Sequence, residues 1–245
     1  MLSAWPAILM LLFAAKLRHP QALAAIFSAV SFTAILLSNH ASSQIALLCS
    51  TTILILAWRA PVFALRIAAA FWCLGFALAL PISFLAYNAG PQLRESLPAS
   101  YHARIMIWGY TSEQTLDQPW LGKGVATTRT QNSERASGVR EQSEGHRFEG
   151  TTGHHGHSIF VQTWYELGAV GAVLFAIAGA LVILAATTLA RNAQPLAAAT
   201  FSAFASIAAF AWGMWQTWWI CAAAAAAIYV CLAARLQSLE TPARR

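Results

Sequence analysis

Long apolar runs separated by short polar turns make up most of the chain, and one long polar stretch interrupts them. The runs cover 2–16, 21–38, 43–58, 62–88, 159–190, 196–213 and 215–234. A helix needs roughly 20 apolar residues to cross a hydrocarbon core of about 30 Å. The pattern therefore predicts an all-α fold, a polytopic transmembrane helix bundle of about seven spans. The runs 2–16 and 43–58 are short for a span. The run 159–190 exceeds one, which predicts a tilted helix or a start in the interface. Pro6, Pro61 and Pro195 sit near predicted ends, where a missing N–H costs least, whereas Pro81 predicts a kink late in the fourth span.

These boundaries divide a single membrane domain, 1–245, into four N-terminal spans (1–88), a loop (89–158), three C-terminal spans (159–234) and a short tail (235–245). Lys16, Arg18, Arg59, Arg66, Arg191, Arg235, Arg244 and Arg245 all fall on one side if the spans alternate. Basic residues mark the cytoplasmic side, so the loop is expected on the opposite face. An outside N-terminus and an uncharged hydrophobic start suggest a chain that begins part-way into a longer membrane domain.

Composition agrees with this class. The chain is 58% hydrophobic and 10% charged, against about 25% charged residues in soluble domains. Its ten tryptophans suit the membrane–water interface. The net charge of +6 comes from residues scattered among spans rather than gathered on a soluble face, which excludes nucleic acid as a partner and leaves the lipid bilayer. Cys49, Cys73, Cys221 and Cys231 all lie inside apolar runs without a C-x-x-C pair, and read as small membrane-buried side chains rather than disulfides or ligands.

The loop has two parts. In YHARIMIWGYTSEQTL (101–116), Ile105 and Trp108 lie one turn apart and Arg104 stands four residues before Trp108. That spacing predicts a short amphipathic helix on the membrane surface. The stretch 127–153 is polar and rich in Gly, Ser and Thr, and is expected to be mobile.

Candidate chemistry gathers around this loop. His154, His155 and His157 stand just before the apolar run that opens at Ile159. They could hold a metal, cap a helix, or place a general base at the membrane surface. Arg104 is a permanent cation whose planar fork suits phosphate oxygens, or a snorkelling anchor. Gly122 and Gly124 permit close backbone approach or a tight turn. Gly168 and Gly171 are small positions suited to helix packing. Glu166, an acid inside the apolar run, needs a partner: the His157 imidazole or a cation.

One combination is more specific than any single motif. His157-Ser158, nine residues (IFVQTWYEL), then Gly168-Ala-Val-Gly171 has the spacing H-[N/S/Q]-x9-G-x-x-G. This resembles the periplasmic-loop signature of the bacterial O-antigen ligase family, related to the O-antigen polymerases. The segment R-I-M-I-W (104–108) is similar to the family's R-x-x-x-W element, and D-Q-P-W-L-G-K-G (117–124) to its P-x-x-G-x-G element. They occur in the family's order, and the resemblance covers roughly residues 36–220. One departure is the turn SNHASS (38–43), where His40 stands in place of an expected arginine. The chain is also shorter at its N-terminus than members of that family.

The resemblance implies a membrane glycosyltransferase of the bacterial inner membrane that acts on the periplasmic face. It would transfer a polysaccharide from an undecaprenyl-diphosphate carrier to a hydroxyl of a lipid A-core or glycan acceptor. It implies His157 as the base and Arg104 as the stabiliser of the departing diphosphate. His40, Trp108, Lys123, His155 and Glu166 would contact substrate. No cofactor or metal is expected, because cationic side chains supply the charge. A polymerase of the same family is the alternative within the class. A transporter of the envelope is the alternative outside it, and would need ionisable residues at mid-span; the spans carry almost none. An inactive truncated remnant is a third reading.

Overall fold

The structure is a computed structural model of the chain and describes residues 1–13, 17–89, 99–130 and 156–240. Most of the polar stretch 127–153, together with His154 and His155, lies outside the described residues. Among these residues the fold is entirely helical: α1 (Ala4–Phe13), α2 (Pro20–Leu37), α3 (Ala41–Arg59), α4 (Pro61–Asn88), α5 (Ala99–Thr115), α6 (Ile159–Ala185), α7 (Gln194–Phe210) and α8 (Thr217–Glu240), with a 3-10 turn at Ala186–Thr188. The expected all-α polytopic bundle is thus observed.

Each predicted span contains a helix, but their lengths differ. Five segments are long and apolar enough to cross a membrane: Pro20–Leu37, Ala41–Arg59, Pro61–Asn88, Ile159–Thr188 and Thr217–Leu236. The ten residues of α1 and the seventeen of α7 are shorter, about 15 and 26 Å at 1.5 Å per residue. Pro20 opens α2 and Pro61 opens α4, the positions where proline's fixed φ helps a helix start. The helix predicted at 101–116 is observed as α5, which starts two residues earlier and ends at Thr115. Along α2 only Ala24 is buried, while Ile26, Val30 and Leu37 are exposed. Such an outward apolar face suits a hydrocarbon surround rather than water.

The chain forms two compact units that cut across the sequence blocks. The first comprises Met1–Trp72, Gly179–Ile207 and Thr217–Arg245. Its core packs Trp5, Ile8 and Leu9 of α1 against Ala24, Leu47 and Leu54, with Leu196, Ala199, Ala203 and Ala233. Alanines recur at these contacts and let the helices approach closely, as is usual where lipid removes any hydrophobic drive between helices. The buried Trp5 indole donates to Ser50 Oγ at 2.9 Å, joining α1 to α3. Trp5→Phe is expected to lower stability by about 0.6–1.7 kcal/mol through this bond, read as a lower thermal midpoint in detergent.

The second unit comprises Cys73–Ala178 and Ala208–Gln216. Here Phe160 of α6 meets Phe76 of α4 edge-on at 4.8 Å, and the Trp164 indole donates to the Phe76 carbonyl at 2.8 Å. Tyr165, Ile107 and Thr163 of this unit are also buried. Among the described residues, every polar feature of the candidate site except His40 belongs to this unit.

Candidate active site

Helix α6 is broken at Gly168, which adopts φ +63, ψ −163. The spacing at Gly168 predicts helix–helix packing; the structure instead uses this residue to interrupt the helix. An interruption strips the local backbone of its i→i−4 partners, and an apolar surround offers no water to replace them. The loop 119–124 fills the gap. Lys123 N–H donates to the Tyr165 carbonyl and Gly124 N–H to the Glu166 carbonyl, both at 2.9 Å. In return Ala169 N–H donates to the Pro119 carbonyl at 2.8 Å and Val170 N–H to the Trp120 carbonyl at 3.2 Å. The carbonyls of residues 165 and 166, which in an unbroken helix would accept from residues 169 and 170, accept instead from the loop.

This exchange explains the glycines. A Cβ on Gly122 would fall on the Glu166 carbonyl, and one on Gly168 on the Trp120 carbonyl. Both residues also have positive φ, which glycine adopts at no steric cost. The P-x-x-G-x-G and G-x-x-G elements are therefore two halves of one backbone junction. Close backbone approach, one of the two uses open to Gly122, is the one observed.

Glu166 sits at the centre of the junction, 0% exposed. Its carboxylate accepts from Ala126 N–H at 2.9 Å, Thr128 N–H at 3.3 Å, Gln162 Nε2 at 3.0 Å, the Thr128 hydroxyl and the Trp215 indole N–H. Five donors from three segments surround it. The structure thus differs from both sequence expectations for this residue: the five donors around it include neither the His157 ring nor a cation. With no exposed surface, it holds the site together from inside rather than offering a contact to a ligand.

His157 is half-buried and immediately precedes α6. It adopts φ +49; among the described residues only Ala126 shares a positive φ without being glycine. Such conformations are uncommon outside glycine, cost energy, and persist where surrounding contacts enforce them. Here the ring is held by a 3.2 Å hydrogen bond between Nδ1 and the Ala211 carbonyl. A carbonyl can only accept, so Nδ1 carries the proton. In the neutral ring that places the lone pair on Nε2.

Arg104 and Trp108 lie one turn apart on α5. The Arg104 guanidinium rests 5.6 Å from the Tyr101 ring centroid, and no carboxylate among the described residues is paired with it. The Trp108 indole donates to the Gly156 carbonyl at 2.9 Å, tying this part of α5 to the residue before His157. Lys123 forms an ion pair with Asp117 at 2.8 Å and donates to Gln114 at 3.2 Å. Its charge is already committed to the loop that carries it.

His40 lies in the first unit, where it caps α3: its Nδ1 accepts from Ser43 N–H at 3.3 Å. His155 lies outside the described residues. Three contributors escape sequence reasoning: the Ala211 carbonyl, Gln162 and Trp215. Gln162 stands one turn before Glu166 and its spacing was available; the other two are brought in from beyond residue 207 by the fold alone.

A family model described as O-antigen ligase matches residues 25–176. The matched region includes the α5 cation, the loop 119–124, the histidine and the break in α6. No curated protein and no solved structure matches the chain.

Proposed function

The chain belongs to the O-antigen ligase family, and from that premise we propose that it is a membrane glycosyltransferase working on the periplasmic face of a bacterial inner membrane. The donor is a glycan on an undecaprenyl-diphosphate carrier. The acceptor is a hydroxyl of a lipid A-core or of another glycan. The observation that carries this reading is the fixed polarity of His157, whose Nδ1 is bound to the Ala211 carbonyl so that Nε2 of the neutral ring can accept a hydroxyl proton.

In the transfer step the acceptor oxygen forms a bond to the anomeric carbon of the donor while its proton passes to His157 Nε2. The bond from that carbon to the diphosphate oxygen breaks, and undecaprenyl diphosphate leaves with the bonding pair. The imidazolium then returns its proton to solvent or to the departing diphosphate. Arg104 is the group for the growing negative charge, because a planar fork matches phosphate oxygens and such electrostatic stabilisation acts where charge develops. No metal is needed in that role. Trp108 holds the lipid-proximal end of the donor, and Lys123 and His155 are the further substrate contacts that the family's motif order suggests.

The test is transfer by the chain reconstituted in lipid vesicles with an undecaprenyl-diphosphate-linked glycan. Arg104→Ala is expected to lower the rate about 10²–10³-fold. Arg104→Lys should recover part of it, since charge returns without the fork. A wild-type rate in Arg104→Ala would remove this residue from the mechanism, and no transfer by the unaltered chain would overturn the whole reading.

A further inference from the structure

The contacts of Gln162 extend inward from the histidine in a defined order of donors and acceptors. Met214 N–H donates to Gln162 Oε1 at 3.0 Å. A backbone N–H can only donate, so the amide oxygen must face Met214 and Nε2 must face the other way, where it meets Glu166 Oε1 at 3.0 Å. Both side chains are buried, Gln162 at 3% and Glu166 at 0% exposure. Glu166 also receives the indole N–H of Trp215. Residues 214 and 215 are thereby anchored to α6 one after the other, and the same short segment carries Ala211, whose carbonyl takes the His157 Nδ1 proton.

We propose that Gln162 and Glu166 are positioning residues for His157, setting which of its ring nitrogens bears the proton. The proposal rests on the reading of His157 as the base. The carboxylate's acceptor-only face fixes the orientation of the Gln162 amide. The amide fixes the segment 211–215, and that segment's carbonyl selects the Nδ1–H form. Neither residue has the exposure to touch substrate. Glu166→Gln keeps the shape of the side chain but adds an NH2 group amid five donors. The Gln162 amide then loses the acceptor that holds its Nε2, only Met214 N–H still orients it, and the hold on the segment 211–215 weakens. Gln162→Met breaks the same relay at its next link, with Glu166 intact and the volume nearly kept.

The test combines kinetics with a spectroscopic readout on the full chain in lipid bilayers. Ring-15N solid-state NMR of histidine-labelled protein reads the tautomer, with the His157 signal identified by its loss in His157→Gln. The unaltered chain is expected to show Nδ1 protonated and Nε2 unprotonated. Glu166→Gln and Gln162→Met are each expected to show both tautomers mixed, with kcat lowered roughly 10²-fold and the donor KM within about threefold. Protein levels in the membrane should match wild type. Retention of the wild-type tautomer, or a rise in KM at constant kcat, would overturn the proposal. Loss of both variants from the membrane would also overturn it, by making the pair part of the scaffold only. Full transfer by His157→Ala would instead overturn the assignment of the base, and would leave the tautomer result standing on its own.

Discussion

Replacing His157 with alanine is expected to slow glycan transfer by about 10²–10⁴-fold, the usual contribution of a positioned general base. The loss should appear in kcat, because the ring does its work on a proton that moves in the transition state. His157→Gln supplies the control for shape and hydrogen bonding: it can still donate toward the Ala211 carbonyl but has no ring nitrogen to take a proton, so it should be nearly as slow as alanine. Protein levels are expected to be unaffected or slightly lowered, since alanine loses the hydrogen bond to the Ala211 carbonyl and keeps the φ of +49, which costs any L-residue energy. The measurement is the initial rate in vesicles at matched protein, with donor saturating. A rate within a few-fold of wild type for both variants would remove the base from the mechanism. The remaining candidates would then be groups that only bind charge, such as Arg104.

The parts of this site that could be read from the sequence are those whose signal is local. Apolar runs announce helices because a spanning helix must be apolar over nearly its whole length. Arg104 and Trp108 are recognisable because four-residue spacing puts both on one side of α5. His157 stands out as an imidazole at the edge of an apolar run. What stays hidden depends on backbone groups brought from far along the chain. The atom that orients the histidine is the carbonyl of Ala211, and a carbonyl leaves no mark in the side-chain pattern. Glu166 shows in sequence only that it requires partners; that they are five donors from three segments is a consequence of packing. Lys123 reads as a cation beside a substrate path, yet Asp117, six residues earlier, takes its charge.

The break in α6 is the strongest case of this kind, and it yields the prediction with the largest expected effect on folding. Gly122→Ala is expected to reduce the folded protein in membranes several-fold or more. Two costs combine. At φ +69 an L-residue is disfavoured by about 1–2 kcal/mol. The larger cost is steric: the new methyl would overlap the carbonyl of Glu166 and the nitrogen of Leu167. Both are backbone atoms, so no side chain can swing aside. The loop must lift from the helix, and the four backbone hydrogen bonds that close the break lengthen together. Each buried group left unpaired costs about 1–3 kcal/mol, so losing two bonds already takes a large share of the 5–15 kcal/mol that typically stabilises a domain. Differences of even about 1–2 kcal/mol change cellular abundance several-fold. Gly168→Ala should behave alike, because its Cβ would strike the Trp120 carbonyl from the other side of the same junction. Gly124→Ala separates the two costs: its φ of +102 is strained, but the nearest atom to its Cβ is the Thr127 methyl at 3.6 Å, an ordinary contact. It is therefore expected to be milder than either. Abundance in the membrane fraction and the thermal midpoint in detergent should rank Gly122→Ala and Gly168→Ala together, well below Gly124→Ala. If all three fall equally, backbone strain is the governing cost and the close approach of loop and helix is not. If Gly122→Ala accumulates normally, the loop 119–124 is not what closes the break, and the two glycine elements act independently.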